Sequence, residues 1–264
     1  MLRIHETDIC FGLPEPMTVL HVTDLHLLHA DARSSSYALG HAAARKPVFP
    51  RSHGVEEELL LYLKENRPDL LLLTGDIIDF PSPANLDALD RLIRTADCPY
   101  LFVPGNHDWT YPRDYQSDEQ AQSYLPLFGP WTGGDPAFRT LRLGGVLWIG
   151  VDDSRRDSVT EVQAKMLGEA LSGADPAVVC LHVPICSDAL KPEAERVWNF
   201  PVVIGDERAD TPTRRFCDLV SEKAAAVIAG HVHFTHDAPL DGSRCVQYIT
   251  ALAAEGNVRV FHIR

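Results

Sequence analysis

Short unbroken apolar runs punctuate the chain, and each stops at a group of polar residues. The run Pro99-Tyr100-Leu101-Phe102-Val103-Pro104 is aromatic and branched rather than alternating, the pattern of a strand buried on both faces in a parallel sheet. Runs of the same kind cover residues 17–23, 69–74, 177–181 and 224–229. Between them the spacing turns helical. Residues 55–66 read as a helix with Glu56, Glu57 and Glu58 in its first turn and Pro68 closing it. Ser82-Pro83 opens another, with Leu86, Leu89 and Ile93 along one face. A loop over 111–118 and a short helix over 119–127 follow. Ser158-Val159-Thr160-Glu161 has capping-box spacing ahead of a stripe of Val159, Val162, Met166 and Ala170. Thr211-Pro212 starts a helix carrying Phe216, Leu219 and Val220. This alternation of strand and helix implies parallel βαβ units.

Both ends of the chain read as strand. Residues 3–10 predict a strand paired with the one beginning at Met17, across Gly12-Leu13-Pro14. Residues 138–143 and 146–151 flank Gly144-Gly145 and predict a hairpin. Residues 245–250 and 258–263 read as antiparallel strands. The connection from Leu27 to Gly54, with Ser34-Ser35-Ser36, Pro47 and Pro50, reads as a long polar segment, and connections of that length are usually functional or mobile. Without repeats, low-complexity segments or a linker, a single domain over 1–264 is expected.

The polar stops carry the chemistry. They are Asp24-Leu25-His26, Gly75-Asp76-Ile77-Ile78-Asp79, Gly105-Asn106-His107-Asp108, His182 and Gly230-His231-Val232-His233. Any one of them is an ordinary turn. Five of them after predicted strands put carboxylates, imidazoles and an amide at one sheet edge, where ligands bind in open α/β sheets. Oxygen and imidazole donors without thiolates suit Mn, Fe or Zn. Asp-x-His and His-x-His place both side chains on one side of an extended segment.

In this order the series resembles the calcineurin-like metallophosphoesterase superfamily, filled at every position from residue 24 to residue 233. The resemblance implies an α/β fold, a two-sheet β-sandwich flanked by helices. It also implies two divalent ions, one on Asp24, His26 and His233 and the other on Asn106, His182 and His231, with Asp76 bridging. A carboxylate has two oxygens and can span ions ~3.5–4 Å apart. Two divalent ions against two ligand carboxylates leave a site that draws in an anionic ester. A bridging hydroxide would attack phosphorus, and His107, beside Asn106 but outside the implied ligand set, is the candidate general acid, with Asp108 orienting its imidazole. Asp153-Ser154, a helix with Gln163, and His182-Val183-Pro184 resemble the cyclic-nucleotide phosphodiesterase-like branch. The expected activity is therefore hydrolysis of a small phosphodiester ahead of a phosphomonoester or pyrophosphate. A non-catalytic protein-binding scaffold of the same fold would show eroded ligands, and none is eroded.

Composition narrows the partners. A formal charge of −13 repels polyanions, which disfavours a large nucleic acid. Six cysteines, without Cys-x-x-Cys spacing and three of them in or beside core strands, argue for a reducing compartment. No signal-like N-terminus and no 18-residue apolar run occurs, so a cytoplasmic protein without a membrane segment is expected.

Other candidates have plainer readings. His21 is a core histidine, and His5 and His262 are structural. His236 could touch substrate or lie at the surface. Asp79 supports the site's loops by hydrogen bonding, Asp152, Asp153 and Ser154 scaffold a loop, and Arg155-Arg156 either grip a phosphate or are solvated. The 27–54 connection holds His29, Arg33, His41, Arg45, Lys46, Arg51 and His53 against Asp31 alone. It is either a basic rim of the substrate pocket or a solvated loop.

Overall fold

A computed structural model describes residues 1–111, 117–173 and 175–264. The strands are β1 (Arg3–Ile9), β2 (Met17–Val22), β3 (Leu70–Thr74), β4 (Tyr100–Val103), β5 (Phe138–Leu143), β6 (Val146–Val151), β7 (Ala177–Cys180), β8 (Ala226–Ala229), β9 (His236–Pro239), β10 (Val246–Ile249) and β11 (Asn257–Ile263). The helices are α1 (Ser36–Arg45), α2 (Ser52–Asn66), α3 (Pro83–Ala96), α4 (Asp118–Tyr124), α5 (Gly129–Thr132), α6 (Glu161–Ala170), α7 (Lys191–Trp198) and α8 (Thr211–Lys223). One sheet runs β1-β11-β2-β3-β4 and the other β5-β6-β7-β8-β10-β9.

The unbroken apolar runs feed two interfaces at once. In β3, Leu70 and Leu72 enter the layer between the sheets, while Leu71 and Leu73 meet α2 and α3. In β7, Val178 and Cys180 face the other sheet, and Ala177 and Val179 face the layer of α6 and α8. Alternation is absent from these runs because neither face meets water. Two mixed sheets, face to face and flanked by helices, form the expected α/β sandwich.

Several elements differ from the sequence reading. β1 does not pair with β2, because β11 lies between them, parallel to β1 and antiparallel to β2. Its Val258, Val260, Phe261 and Ile263 are buried, whereas β1 is largely exposed, so β1 takes the edge. β10 and β11 belong to different sheets and are not antiparallel partners. The 27–54 connection contains α1, and α2 starts at Ser52, which moves Glu56 into the second turn. There Glu56 pairs with His29 and Arg91. α6 is capped by Thr160, whose hydroxyl accepts from Gln163 N, rather than by Ser158. Its inner face is Ala164 and Leu167, leaving Val162 66% exposed. The helix expected over 119–127 is α4, followed by a 3-10 turn at Leu125–Phe128. Within the loop expected over 111–118, residues 112–116 lie outside the described residues.

Candidate metal centre

The loops after β2, β3, β4, β7 and β8 meet at one edge of the sandwich and hold one another by backbone bonds. Asp24 N donates to Gly75 O (3.0 Å), His26 N to Asp76 O (2.8 Å) and Gly230 N to His182 O (3.1 Å). Asp24, His26, Asp76, His231 and His233 have φ of 54°, 47°, 52°, 69° and 64°. This left-handed conformation costs a non-glycine residue roughly 1–2 kcal/mol, and it clusters at functional sites. Strand alternation is therefore not what brings Asp24 to His26 or His231 to His233. Left-handed turns do.

Two groups of donors result. In one, His233 Nε2 lies 3.3 Å from Asp24 Oδ1 and 3.4 Å from His26 Nε2. In the other, His182 Nε2 lies 3.1 Å from His231 Nδ1, 3.2 Å from Asn106 Oδ1 and 3.4 Å from Asp76 Oδ2. Asp76 Oδ2 is also 3.8 Å from His26 Nε2, so it stands between the groups. Its Oδ1 accepts His107 N (2.8 Å), which leaves Oδ2 as the oxygen between the two groups.

The donor set fits divalent cations. His26 Nδ1 sits 2.8 Å from Asp79 Oδ1 and His182 Nδ1 sits 2.8 Å from Thr74 O. Both nitrogens are thereby held as N–H donors, which turns the Nε2 lone pairs inward. Asp24 Oδ2 accepts His231 N and Thr23 Oγ1, but buried Asp24 Oδ1 has no hydrogen-bond partner. Lone pairs thus converge with the carboxylates on a buried space, an arrangement that only positive charge relieves. Without metal that charge is a proton: burial works against it on His182, yet Asp76 and Asp24 lift this imidazole to about 10. Burial and His182 press neighbouring His231 down to about 3. Burial opposes ionisation of Asp24, but His233 holds it at about 2.

Asp108 does not orient His107. Its Oδ2 accepts Asp76 N (2.9 Å) and Gly105 N (2.7 Å), and its Oδ1 accepts Ile78 N (2.9 Å), so it clamps the β3 and β4 loops. The carboxylate facing His107 is Asp79, with Oδ1 3.1 Å from Nδ1, at ion-pair distance but off hydrogen-bond alignment. Burial lowers the basicity of His107, and Asp76 and Asp79 outweigh it, raising the group above its ordinary value. Asp79 also receives Arg45 Nε (2.8 Å) and Nη2 (3.0 Å) and lies 3.4 Å from His41 Nε2.

The sequence reading missed this α1 contribution. Phe49 stacks on His26 with centroids 4.1 Å apart, and the Arg45 guanidinium lies over Phe49. Three more basic groups of the connection meet other partners. His29 pairs with Glu56, Arg33 with Asp31 and Asp87, and Arg51 donates to Glu255 O. The connection backs His26, and the cavity beside the centre is lined by other residues: Asp76, Asn106, His107, His231 and His233 against Asp157, Trp198, Phe200 and Val202.

The readings of His21 as a core histidine and of Asp152, Asp153 and Ser154 as loop scaffold hold. His21 is buried between Thr250 Oγ1 (2.7 Å) and Thr74 Oγ1 (2.6 Å). Asp153 Oδ1 accepts His182 N and Val183 N, and Ser154 Oγ accepts Trp109 Nε1. Arg155 lies 3.8 Å from Asp152 and Arg156 3.1 Å from Asp118. His236 is on β9, 3.2 Å from Glu193.

The chain matches the calcineurin-like phosphoesterase family over residues 17–234. It belongs to that family. A Synechococcus protein named "Probable cyclic nucleotide phosphodiesterase" is 26% identical over 226 residues, 82% of this chain and 73% of the relative. A Nostoc protein named "3',5'-cyclic-nucleotide phosphodiesterase" is 26% identical over 99 residues, 38% of this chain and 34% of the relative. Among solved structures, a purple acid phosphatase from yellow lupin seeds superposes with a TM-score of 0.53 at 13% identity, covering 94% of this chain and 44% of that one. That likeness concerns the fold. Among the described residues, His/Asp groups able to hold metal are Asp24-His26-His233, Asp76-His182-His231 and His26-Asp79-His107. Also among them, no helix is long and apolar enough to cross a membrane.

Proposed function

We propose that the protein hydrolyses small phosphodiesters at two divalent metal ions. Asp24, His26 and His233 would hold one ion and Asn106, His182 and His231 the other, with Asp76 contributing to both. The observation that carries this reading is Asp76 Oδ2 between two facing imidazoles, 3.8 Å from His26 Nε2 and 3.4 Å from His182 Nε2. When bound, such ions supply Lewis acidity toward phosphoryl oxygens and acidify water toward neutral pH. The chain's own residues do the rest. Asp79 and Thr74 hold the His26 and His182 rings, and Asp108 holds the loops that carry Asp76 and Asn106. His107 lines the cavity with Nδ1 toward Asp79, leaving Nε2 to deliver a proton to the departing oxygen. The names of the two relatives support a diester, and a net charge of −13 speaks against a polynucleotide.

Elemental analysis of protein prepared without chelator, with a screen of chromogenic mono- and diesters, tests this. Two transition-metal ions per chain and diester turnover are expected. One ion or none after supplementation would sink the dinuclear reading. Asp76→Asn should weaken both sites together, because it removes the charge they share.

A further inference from the structure

The cavity beside the metal centre measures about 150 Å3, and its outer wall is apolar. Trp198, Phe200 and Val202 form that wall, with Phe200 56% exposed. An isolated surface phenylalanine is unremarkable, but this one adjoins an indole beside the candidate metal centre. The wall is also built rigidly onto the ligand loop. Trp198 Nε1 donates to Val232 O (3.0 Å), between His231 and His233, and its ring stands edge-on to His233 with centroids 5.2 Å apart. Asn199, with φ of 63°, ends α7 and turns the chain so that Phe200 follows directly on the cavity side. Glu193, facing His236 at 3.2 Å, ties α7 to β9, and the bridge of Ile204 to Ile185 fixes the segment's far end.

We infer that this wall binds a planar aromatic or heteroaromatic ring on the non-reacting part of the substrate. Phe200 is the stacking platform, and the base of a nucleotide carrying one reacting phosphate is the natural occupant. The inference rests on the proposed phosphoesterase reading and names its substrate class. Metals and His107 recognise only the phosphoryl group common to every phosphoester, so discrimination has to come from groups around them. An aromatic face on the cavity wall selects substrates that carry a ring at its distance from the phosphate site. Base stacking of this kind is worth about tenfold to a hundredfold in affinity.

The test uses the full chain loaded with Mn2+, with adenosine 5′-monophosphate and ribose 5-phosphate titrated calorimetrically. The two probes share the phosphate and pentose and differ by the base. Wild type is expected to bind the nucleotide about tenfold or more tightly than the sugar phosphate. Phe200→Ala should bring the two affinities close together by weakening the nucleotide alone, and Phe200→Tyr should restore the difference. Equal affinities in wild type, or a ratio unchanged by Phe200→Ala, overturn the wall while leaving the phosphate site standing. Failure of both probes to bind, with no hydrolysis of bis(p-nitrophenyl) phosphate, overturns the phosphoesterase reading and the wall with it.

Discussion

His107 takes its position from two carboxylates, Asp76 accepting its backbone N–H and Asp79 facing its Nδ1. His107→Ala should lower turnover of esters with poor leaving groups by ~10²–10⁴-fold and of esters with good ones far less, at unchanged metal content. Equal loss on both would assign His107 to positioning instead. The residue type and spacing were legible in Gly105-Asn106-His107-Asp108, but the imidazole's partner was not. Asp108 is next in sequence, yet the loop aims its oxygens at three backbone N–H groups, and Asp79 comes from another strand. His21 makes a second prediction. Burial and the charge of Arg259 depress its folded pKa from 6.5 to about 3. The unfolded chain therefore takes up a proton first, and stability is lost as pH falls below 6.5, by ~1.4 kcal/mol per pH unit. Urea unfolding at pH 6.5 and 5.0 should show this loss in wild type and a smaller one in His21→Gln.

Glycines decide how closely the ligand-bearing loops approach. Gly75 and Gly105 face each other, and a Cβ on Gly105 would collide with the backbone and carboxylate of Asp76. Gly105→Ala should therefore weaken metal binding at least tenfold, measured by competition with a chelator, while the apolar layers away from the loops stay packed. Unchanged affinity would show that the loops tolerate separation. Elements with strong apolar patterns were legible, and those without were not. α1 buries Ala38 alone and α7 Ala194 alone, so neither has a stripe to read. β9 reads His-Asp-Ala-Pro and sits at a sheet edge, where a strand needs no second buried face. In α6 both Ser158 and Thr160 offer a capping hydroxyl, and the choice of Thr160 sets which face turns inward.

On the scale of the whole molecule, the sandwich gathers two groups of donors, Asp24 and Asp76 among them, and five left-handed Asp and His residues at one edge, and bound cations should stabilise it. Divalent metal at 100 times its dissociation constant adds ~2.7 kcal/mol, or roughly 5–10 °C in Tm for a chain of this size, reversed by chelator. No shift on loading would contradict metal binding to the folded state. The sequence by itself determined the layered class, the strands that end in Asp, Asn and His, and which of those side chains come together at one edge. All are local facts: apolar runs buried on both faces leave a polar residue where the strand stops. Tertiary structure alone decided that β11 separates β1 from β2, that Asp79 rather than Asp108 faces His107, and that α1 and Phe49 back His26. It also set Trp198 and Phe200 against the centre. These pairings join residues tens to hundreds of positions apart, and strand periodicity carries no information about them. They follow from which surfaces remain to be covered once the sheets have packed.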